Sequence, residues 1–188
     1  MMDHKGTRRI ETPRLILRRF REDDIEKANR NWFTDPEVTR YLTWQPHESM
    51  EASQAIVHKW MDQYQDTKFY QWVICLKETD EPIGSISAVR VRDDVGEVEV
   101  GYCIGKQWWH QYYTTEALMA VMDFFFASVH VLRVCARHDV ENEYSGMVMR
   151  KCAMRYEGTI RQTALNNRGI VDLDVYGMLS KEYFMNQE

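Results

Sequence analysis

The sequence changes its periodicity between residues 97 and 128, and this change constrains the fold more than any other feature. Residues 97–104 (EVEVGYCI) are rich in strand formers and are typical of a β-strand. After a short loop, from about Thr114 to Ser128, apolar side chains recur at helical spacing, at Ala117, Leu118, Val121, Met122 and Phe125. A strand that passes directly into an amphipathic helix is typical of a sheet that carries helices on its faces.

The rest of the chain predicts the same class. Strands are expected over residues 14–20, 69–76, 83–91, 97–104 and 131–137, and in a final hairpin formed by YEGTIRQ and IVDLDVYGML across LNNRG. Helices are expected after Asp23 or Asp24, after Thr34 or Asp35, and over residues 49–65, 114–128 and 142–153. The short connections between residues 69 and 104 predict an antiparallel meander. We therefore expect a mixed α/β (α+β) sheet flanked by helices, in a single domain spanning residues 1–188.

The composition narrows the classes of function. A formal net charge of −5, from 24 basic and 29 acidic residues, predicts no nucleic-acid partner. The charged N-terminus resembles no signal peptide, and no apolar run approaches the ~20 residues of a membrane span, so a cytoplasmic protein without a membrane partner is expected. The basic cluster Arg14, Arg18, Arg19 and Arg21 is interpreted as the solvated face of a strand.

The four cysteines predict neither a metal site nor a disulfide framework. Cys75, Cys103, Cys135 and Cys152 lie far apart among apolar residues, with no CxxC pair and no histidine at metal-ligand spacing. Reduced thiols in the core are the expected state.

The loop between Ile104 and Thr114 occupies the position of a phosphate-binding loop. The first amide groups of a helix have no partner within the helix and carry the positive end of its dipole, so a loop that leads into a helix can bind phosphate. This feature alone is weak, because every crossover from a sheet to a helix has it. The order and spacing of the other motifs add the specificity.

Six segments in order resemble the GCN5-related N-acetyltransferases, the GNAT family, and in particular the branch of the ribosomal-protein alanine acetyltransferases. They are ETPRLILRRFREDD, DPEV, PIGSI, EVGYCIGKQWW, TTEALMAVMDFFF and ENEYSGMVMRKCAMRYEG. The last contains the family pattern Asn-x-x-Ser-x-x-Val-x-x-Lys, and the resemblance covers nearly the whole chain.

This resemblance implies a fold, a co-substrate and a set of site residues. The strand at 97–104 is expected to splay from a parallel neighbour at 131–137, with the pantetheine arm of acetyl-CoA in the gap. The residues implied in cofactor binding are Tyr102, Cys103 and Ile104 along the arm, His110, Gln111, Tyr112, Tyr113, Thr114 and Thr115 at the pyrophosphate, and Asn142 at a pantetheine amide. Ser145 is placed near the acetyl thioester.

Acetyl transfer to an amine needs a base for the amine and a proton source for the departing thiolate. Glu99 is the candidate base, because it precedes VGYCI and shares a strand face with Gly101 and Cys103; the alternative is a solvated carboxylate. Ser145 is the candidate acid, with Tyr144 as an alternative, and Ser145 can also serve simply as a helix residue. Asn142 can cap the same helix in addition to binding the cofactor.

The chain departs from the family where the family has glycine. His110 and Tyr112 replace two loop glycines, and Ala153 replaces a third at the end of the last predicted helix. Two hypotheses follow: an active N-acetyltransferase that uses acetyl-CoA, or a degenerate relative that keeps the fold as a binding or sensing module with weak or no affinity for CoA. If Tyr112 has a positive φ, strain of ~1–2 kcal/mol is expected there.

The acceptor is predicted only as a class. A protein N-terminus or a small-molecule amine is compatible with the fold, and the net acidity weakly favours a cationic acceptor. Trp44 is expected near the acceptor, because the resemblance places the N-terminal helical region over the acceptor pocket. A homodimer is implied by the resemblance alone.

Overall fold

A computed structural model describes residues 2–185, and its core is a sheet with the strand order β1-β2-β3-β4-β5-β6-β8-β7. The strands are β1 (Ile10–Glu11), β2 (Leu15–Arg18), β3 (Gln71–Leu76), β4 (Pro82–Arg92), β5 (Glu97–Ile104), β6 (Arg133–Asp139), β7 (Arg155–Asn166) and β8 (Gly169–Leu179). Within the described residues, β5 and β6 are parallel and every other neighbouring pair is antiparallel. The predicted meander and parallel pair are confirmed.

The predicted helices lie between these strands in the predicted order, and a further helix follows β8. They are α1 (Ile25–Ala28), α2 (Pro36–Thr39), α3 (Met50–Gln63), α4 (Tyr113–Phe124), α5 (Glu143–Lys151) and α6 (Ser180–Met185). A π-helical turn extends α1 over Asn29–Phe33, and another extends α4 over Phe125–Val129. Asp35, one of the two predicted start residues of its helix, accepts from the Glu37 amide at 2.8 Å. Ser49, where the predicted helix 49–65 begins, accepts from the Ala52 amide at 3.3 Å and caps α3.

The two faces of the sheet bury different helices. Side chains alternate across β3, so Trp72 and Ile74 pack with α4 and α5, while Val73 and Cys75 pack with α1 to α3. The stripe of α4 predicted from its spacing is buried in the first of these clusters. The mixed α/β fold class is confirmed, and β5 lies in the middle of the sheet with helices on both sides.

Three elements differ from the expectation. The short strand β1 and the helix α6 were not predicted, and β7 continues to Asn166, well beyond YEGTIRQ. Strand β7 contains register shifts at Tyr156/Gly158 and Ile160/Ala164, which interrupt the alternation that sequence reasoning relies on.

The interpretation of the basic cluster as a solvated strand face is wrong for Arg18. Its side chain is buried, and its guanidinium donates to both carboxylate oxygens of buried Asp24 at 2.7 and 2.8 Å and to Asp80 at 3.1 Å. This bidentate pair attaches the chain just before α1 to strand β2. A buried arginine of this kind is invisible in a local charge pattern, because its partners decide its environment.

Candidate functional site

The parallel strands β5 and β6 are paired for only three residues and then separate. Glu97, Val98 and Glu99 pair with Arg133, Val134 and Cys135, and the register ends there. Both strands continue, since β6 remains paired with β8 as far as Asp139. The second half of β5 therefore has an open edge, which confirms the splay that the resemblance implies.

A cleft of about 800 Å³ opens at this fork. Ten of the twelve predicted site residues line it: Tyr102, Cys103, Ile104, His110, Tyr112, Tyr113, Thr114, Thr115, Asn142 and Ser145. Gln111 and Glu99 do not line it. The cleft is also lined by residues that sequence reasoning missed, in the segment Glu37–Leu42 and at Trp108, Trp109 and Lys151.

The open edge of β5 presents the main chain of two predicted residues. The Gly105 amide donates to Ile83 of β4 at 2.8 Å, and peptide groups alternate in direction along a strand. The main-chain groups of Cys103 therefore face β4, whereas those of Tyr102 and Ile104 face the gap. The Trp109 indole already donates to the Ile104 carbonyl at 2.9 Å and fixes the start of the following loop.

Helix α4 begins at the open end of the fork with its amides uncapped. Tyr112 is its N-cap residue, and among residues 2–185 no side chain provides a cap hydrogen bond there. The next amides, of Tyr113, Thr114 and Thr115, belong to the first helical turn and have no helical carbonyl to bind. These free amides and the positive end of the helix dipole together favour the binding of an anion at this point of the cleft.

All three positions that lost a glycine have left-handed backbone angles. The φ angles are 62° at His110, 64° at Tyr112 and 58° at Ala153. These three positions thus have a conformation that glycine adopts readily and that their own side chains disfavour, which is the strained case anticipated for Tyr112.

Two of these side chains contact helix α5 across the loop. The Tyr112 ring lies 4.9 Å from the Lys151 ammonium, and the His110 ring meets the Tyr144 ring edge-on at 4.6 Å. Contacts of these kinds contribute about 0.5–1 kcal/mol each and offset part of the backbone strain.

Glycine substitutions at Ala153 and Tyr112 should separate the cost of backbone strain from the stabilisation by side-chain contacts. Ala153→Gly is expected to raise the free energy of unfolding by about 1 kcal/mol, because Ala153 closes α5 with a left-handed residue and a methyl side chain. Tyr112→Gly relieves the same strain but loses the contact with Lys151, so its net effect should be under about 0.5 kcal/mol. Urea unfolding of both variants measures the difference, and equal stabilisation by the two would contradict it.

Arg14 holds the loop and the start of α4 together, a role that the sequence analysis missed. Its guanidinium donates to the Gln111 carbonyl at 3.0 Å and to the Glu116 carboxylate at 2.7 Å, and it covers the Tyr113 ring at 4.4 Å. The Thr12 hydroxyl also donates to Glu116, at 2.6 Å. Burial opposes ionisation of Glu116, yet these hydrogen bonds outweigh it and lower the pKa of the carboxyl.

The hydroxyl groups of Tyr102 and Ser145 meet inside the cleft. The Tyr102 hydroxyl donates to the Ser145 carbonyl at 3.1 Å and lies 3.1 Å from the Ser145 Oγ. Burial raises the pKa of Tyr102 and that of the Cys103 thiol, which keeps both groups protonated at neutral pH. The Asn142 side chain caps α5 by accepting from the Ser145 amide at 3.4 Å, so the capping interpretation of Asn142 is confirmed.

Glu99 lies at the branch point of the fork, outside the cleft wall. It is the last residue of β5 that pairs with β6, and its carboxylate lies 2.9 Å from Arg90 and 3.5 Å from Arg137. Its side chain is only 16% exposed. The structure thus brings Ser145 to the cleft but holds Glu99 behind it, and the base role of Glu99 stays a prediction.

Trp44 does not line the cleft either. Its ring packs edge-on against Phe33 at 6.0 Å and lies 5.5 Å from the His47 ring. Burial lowers the pKa of His47, whose Nδ1 lies 2.7 Å from the Ser53 hydroxyl. These rings belong to the packing of α1 to α3 against the sheet.

The described part of the chain has neither a cluster of metal-binding side chains nor a membrane-spanning helix. Residues 2–185 contain no group of three or more histidine, cysteine or acidic side chains that could hold a metal ion. None of the described helices is long and apolar enough to span a membrane.

The sheet order, the forked parallel pair and the uncapped helix at its mouth define the class of acetyltransferase folds. A family model described as the acetyltransferase (GNAT) domain matches residues 14–155. The chain therefore belongs to the GNAT family, and it is an acyl-CoA-dependent N-acetyltransferase.

Relatives and solved structures agree with this assignment. The chain is 27% identical over 172 residues to an uncharacterized N-acetyltransferase, p20, of Bacillus licheniformis, covering 92% of this chain and 96% of the relative. It resembles the structure of a GNAT-family acetyltransferase from Bacillus anthracis with a TM-score of 0.82 at 22% identity, over 93% of this chain and all of that one. It also resembles the microcin C7 self-immunity acetyltransferase MccE, solved with acetyl-CoA and AMP, with a TM-score of 0.79 at 16% identity, over 89% of this chain and 93% of that one.

Proposed function

We propose that the protein transfers an acetyl group from acetyl-CoA to a primary amine, on a peptide N-terminus or a small molecule, by direct attack. The observation that carries the proposal is the fork between β5 and β6, which opens on one cleft shared by the strand edge and the start of α4. A ligand with a peptide-like arm and a pyrophosphate matches those two features in that order along the chain.

The fit to acetyl-CoA rests on the chemistry of the cleft walls. The amide groups of a pantetheine arm can pair with the main chain of Tyr102 and Ile104 as an added strand would. The amides of Tyr113, Thr114 and Thr115 suit a pyrophosphate, and Lys151 adds a cation on the neighbouring wall. The branch of the ribosomal-protein alanine acetyltransferases and a homodimer stay predictions.

The reaction needs two proton transfers. The neutral amine attacks the thioester carbonyl, and the carbon–sulfur bond then breaks to leave CoA as a thiolate. In our proposal, Glu99 takes the proton from the amine, through water because it lies behind the cleft wall. Ser145 donates its hydroxyl proton to the thiolate and regains a proton from solvent water, while the Tyr102 hydroxyl, 3.1 Å from the Ser145 Oγ, helps to orient it.

Calorimetric titration with acetyl-CoA tests the proposed co-substrate. Binding is expected, and S-acetylpantetheine, which lacks the pyrophosphate and the adenosine, should bind at least about tenfold more weakly, because it forgoes the anion site of α4. No binding of acetyl-CoA at millimolar concentration would instead favour the degenerate binding or sensing module. Equal affinity for the two ligands would remove the pyrophosphate role of α4.

Glu99→Gln is expected to lower kcat by about 10²-fold or more while leaving the affinity for acetyl-CoA nearly intact, because it removes the base and keeps the shape of the side chain. Arg90→Gln is the matched control, since it breaks the same 2.9 Å ion pair but keeps the carboxylate. Steady-state kinetics of the two variants separate a chemical role from a structural one. Equal losses in both, or wild-type turnover of Glu99→Gln, would remove Glu99 as the base.

A further inference from the structure

One wall of the cleft, the segment Glu37–Leu42, carries an arginine without an acidic partner among the described residues. Arg40, in the segment that follows α2, lines the cleft, and among residues 2–185 it has no ion pair or hydrogen bond to a carboxylate. Its guanidinium lies only over the Tyr41 ring, at 5.3 Å. The acidic side chain of the same wall, Glu37, is already paired with Lys106.

The backbone that carries Arg40 is held in place by the turn between β7 and β8. The Asn167 side chain donates to the carbonyls of Thr39 and Trp44 at 2.8 Å each, and its amide donates to the Leu42 carbonyl at 3.2 Å. Its side-chain oxygen accepts from Gln45 at 2.6 Å. These hydrogen bonds hold the segment around Arg40 in place, and Arg40 is an exposed residue of the cleft lining on this braced backbone.

A second arginine flanks Tyr41 from that turn but is already neutralised. The Arg168 guanidinium lies 5.7 Å from the Tyr41 ring, and it pairs with Asp139 at 3.0 Å and with Glu141. Arg40 thus remains the uncompensated charge of this wall. A guanidinium beside an aromatic ring, with its five N–H donors free, is suited to a planar carboxylate.

We propose that the acceptor amine carries a carboxylate and that Arg40 binds it. This inference rests on the proposed acetyl transfer and names the class of its acceptor: a free amino acid or another amine with a carboxylate close to it. It reverses the expectation drawn from the net charge of −5, because the local charge of the cleft wall is opposite to that of the whole chain.

Paired acceptors test the proposal. Each of several amino acids, such as phenylalanine, methionine and glutamate, is compared with its α-carboxamide in a thiol-release assay with acetyl-CoA. Amidation makes the amine less basic, which by itself favours the amide, so a preference for the acid reports recognition. The acid is expected to have the higher kcat/KM in each pair, by about tenfold or more, as for one charge-assisted hydrogen-bonded pair.

The variant Arg40→Gln should lower kcat/KM for the acid by about tenfold. It should thereby bring the acid-to-amide ratio of kcat/KM closer to one. Arg161→Gln, at an exposed position of β7, is the control for the loss of a positive charge and should keep the wild-type ratio. The proposal would be overturned by an equal or higher rate with the amides, by no turnover of any carboxylate, or by equal losses on acid and amide in Arg40→Gln. Weaker acetyl-CoA binding by Arg40→Gln would assign the residue to a phosphate instead. Failure of acetyl transfer itself is recognised separately, as a lack of acetyl-CoA binding by the wild type.

Discussion

Arg18→Met is expected to lower the free energy of unfolding by about 3–5 kcal/mol. The substitution removes the two guanidinium donors of buried Asp24, at 2.7 and 2.8 Å, and leaves its carboxylate with the Arg21 main-chain amide at 2.8 Å and no cation. A buried carboxylate without a cation is far more costly than the intact pair is stabilising. Urea unfolding measures the loss.

Arg21→Met is the matched control for this prediction. Arg21 reaches the same Asp80, at 3.4 Å, but its side chain is 53% exposed, so its loss should change the free energy of unfolding by no more than about 0.5 kcal/mol. A double variant, Arg18→Met with Asp24→Leu, should recover most of the stability, because it removes both charges. If Arg18→Met costs no more than Arg21→Met, the bidentate pair is not a structural attachment of α1 to the sheet.

The elements with strong local patterns were predictable from the sequence. Strand β5 was predicted with its observed bounds, and the apolar stripe of α4 is buried as its spacing indicated. The splay of the parallel pair came from the family motifs, since no local pattern reports on a neighbour more than 30 residues away in the chain. Ten of the twelve predicted site residues line the cleft, because the family motifs identify them by their place in the sequence.

The contacts between distant residues were not predictable. Arg14 and Glu116 are 102 positions apart, and Asn167 meets Thr39 across 128 positions, so neither pairing leaves a trace in local periodicity. The direction of the Tyr112 side chain is a further case. No local pattern sets this direction, and in the structure the ring is 61% exposed and packs against Lys151.

Arg14→Met is expected to weaken acetyl-CoA binding by about tenfold and to lower the free energy of unfolding by about 1–2 kcal/mol. Arg14 joins the Gln111 carbonyl to Glu116, so it fixes the loop whose amides form the proposed anion site. Without it, Glu116 keeps only the Thr12 hydroxyl and a main-chain amide as donors. Calorimetry with acetyl-CoA measures the first effect, and urea unfolding measures the second.

Two further variants and a pH series test whether the hydrogen bonds of Arg14 to Gln111 and Glu116 hold the loop. Arg9→Met removes the same charge from an exposed pair with Glu11 and should leave acetyl-CoA binding unchanged. Arg14→Lys keeps the charge but loses the paired guanidinium donors, so its affinity for acetyl-CoA should fall between those of Arg14→Met and the wild type.

The pKa of Glu116 is lowered in the folded protein, so its stabilising contribution is present above about pH 4.5, its ordinary value, and is lost as the pH falls further. The stability difference between wild type and Arg14→Met should therefore shrink below that pH. A difference that stays constant down to pH 3 would show that the guanidinium acts by packing on Tyr113 and not through the carboxylate.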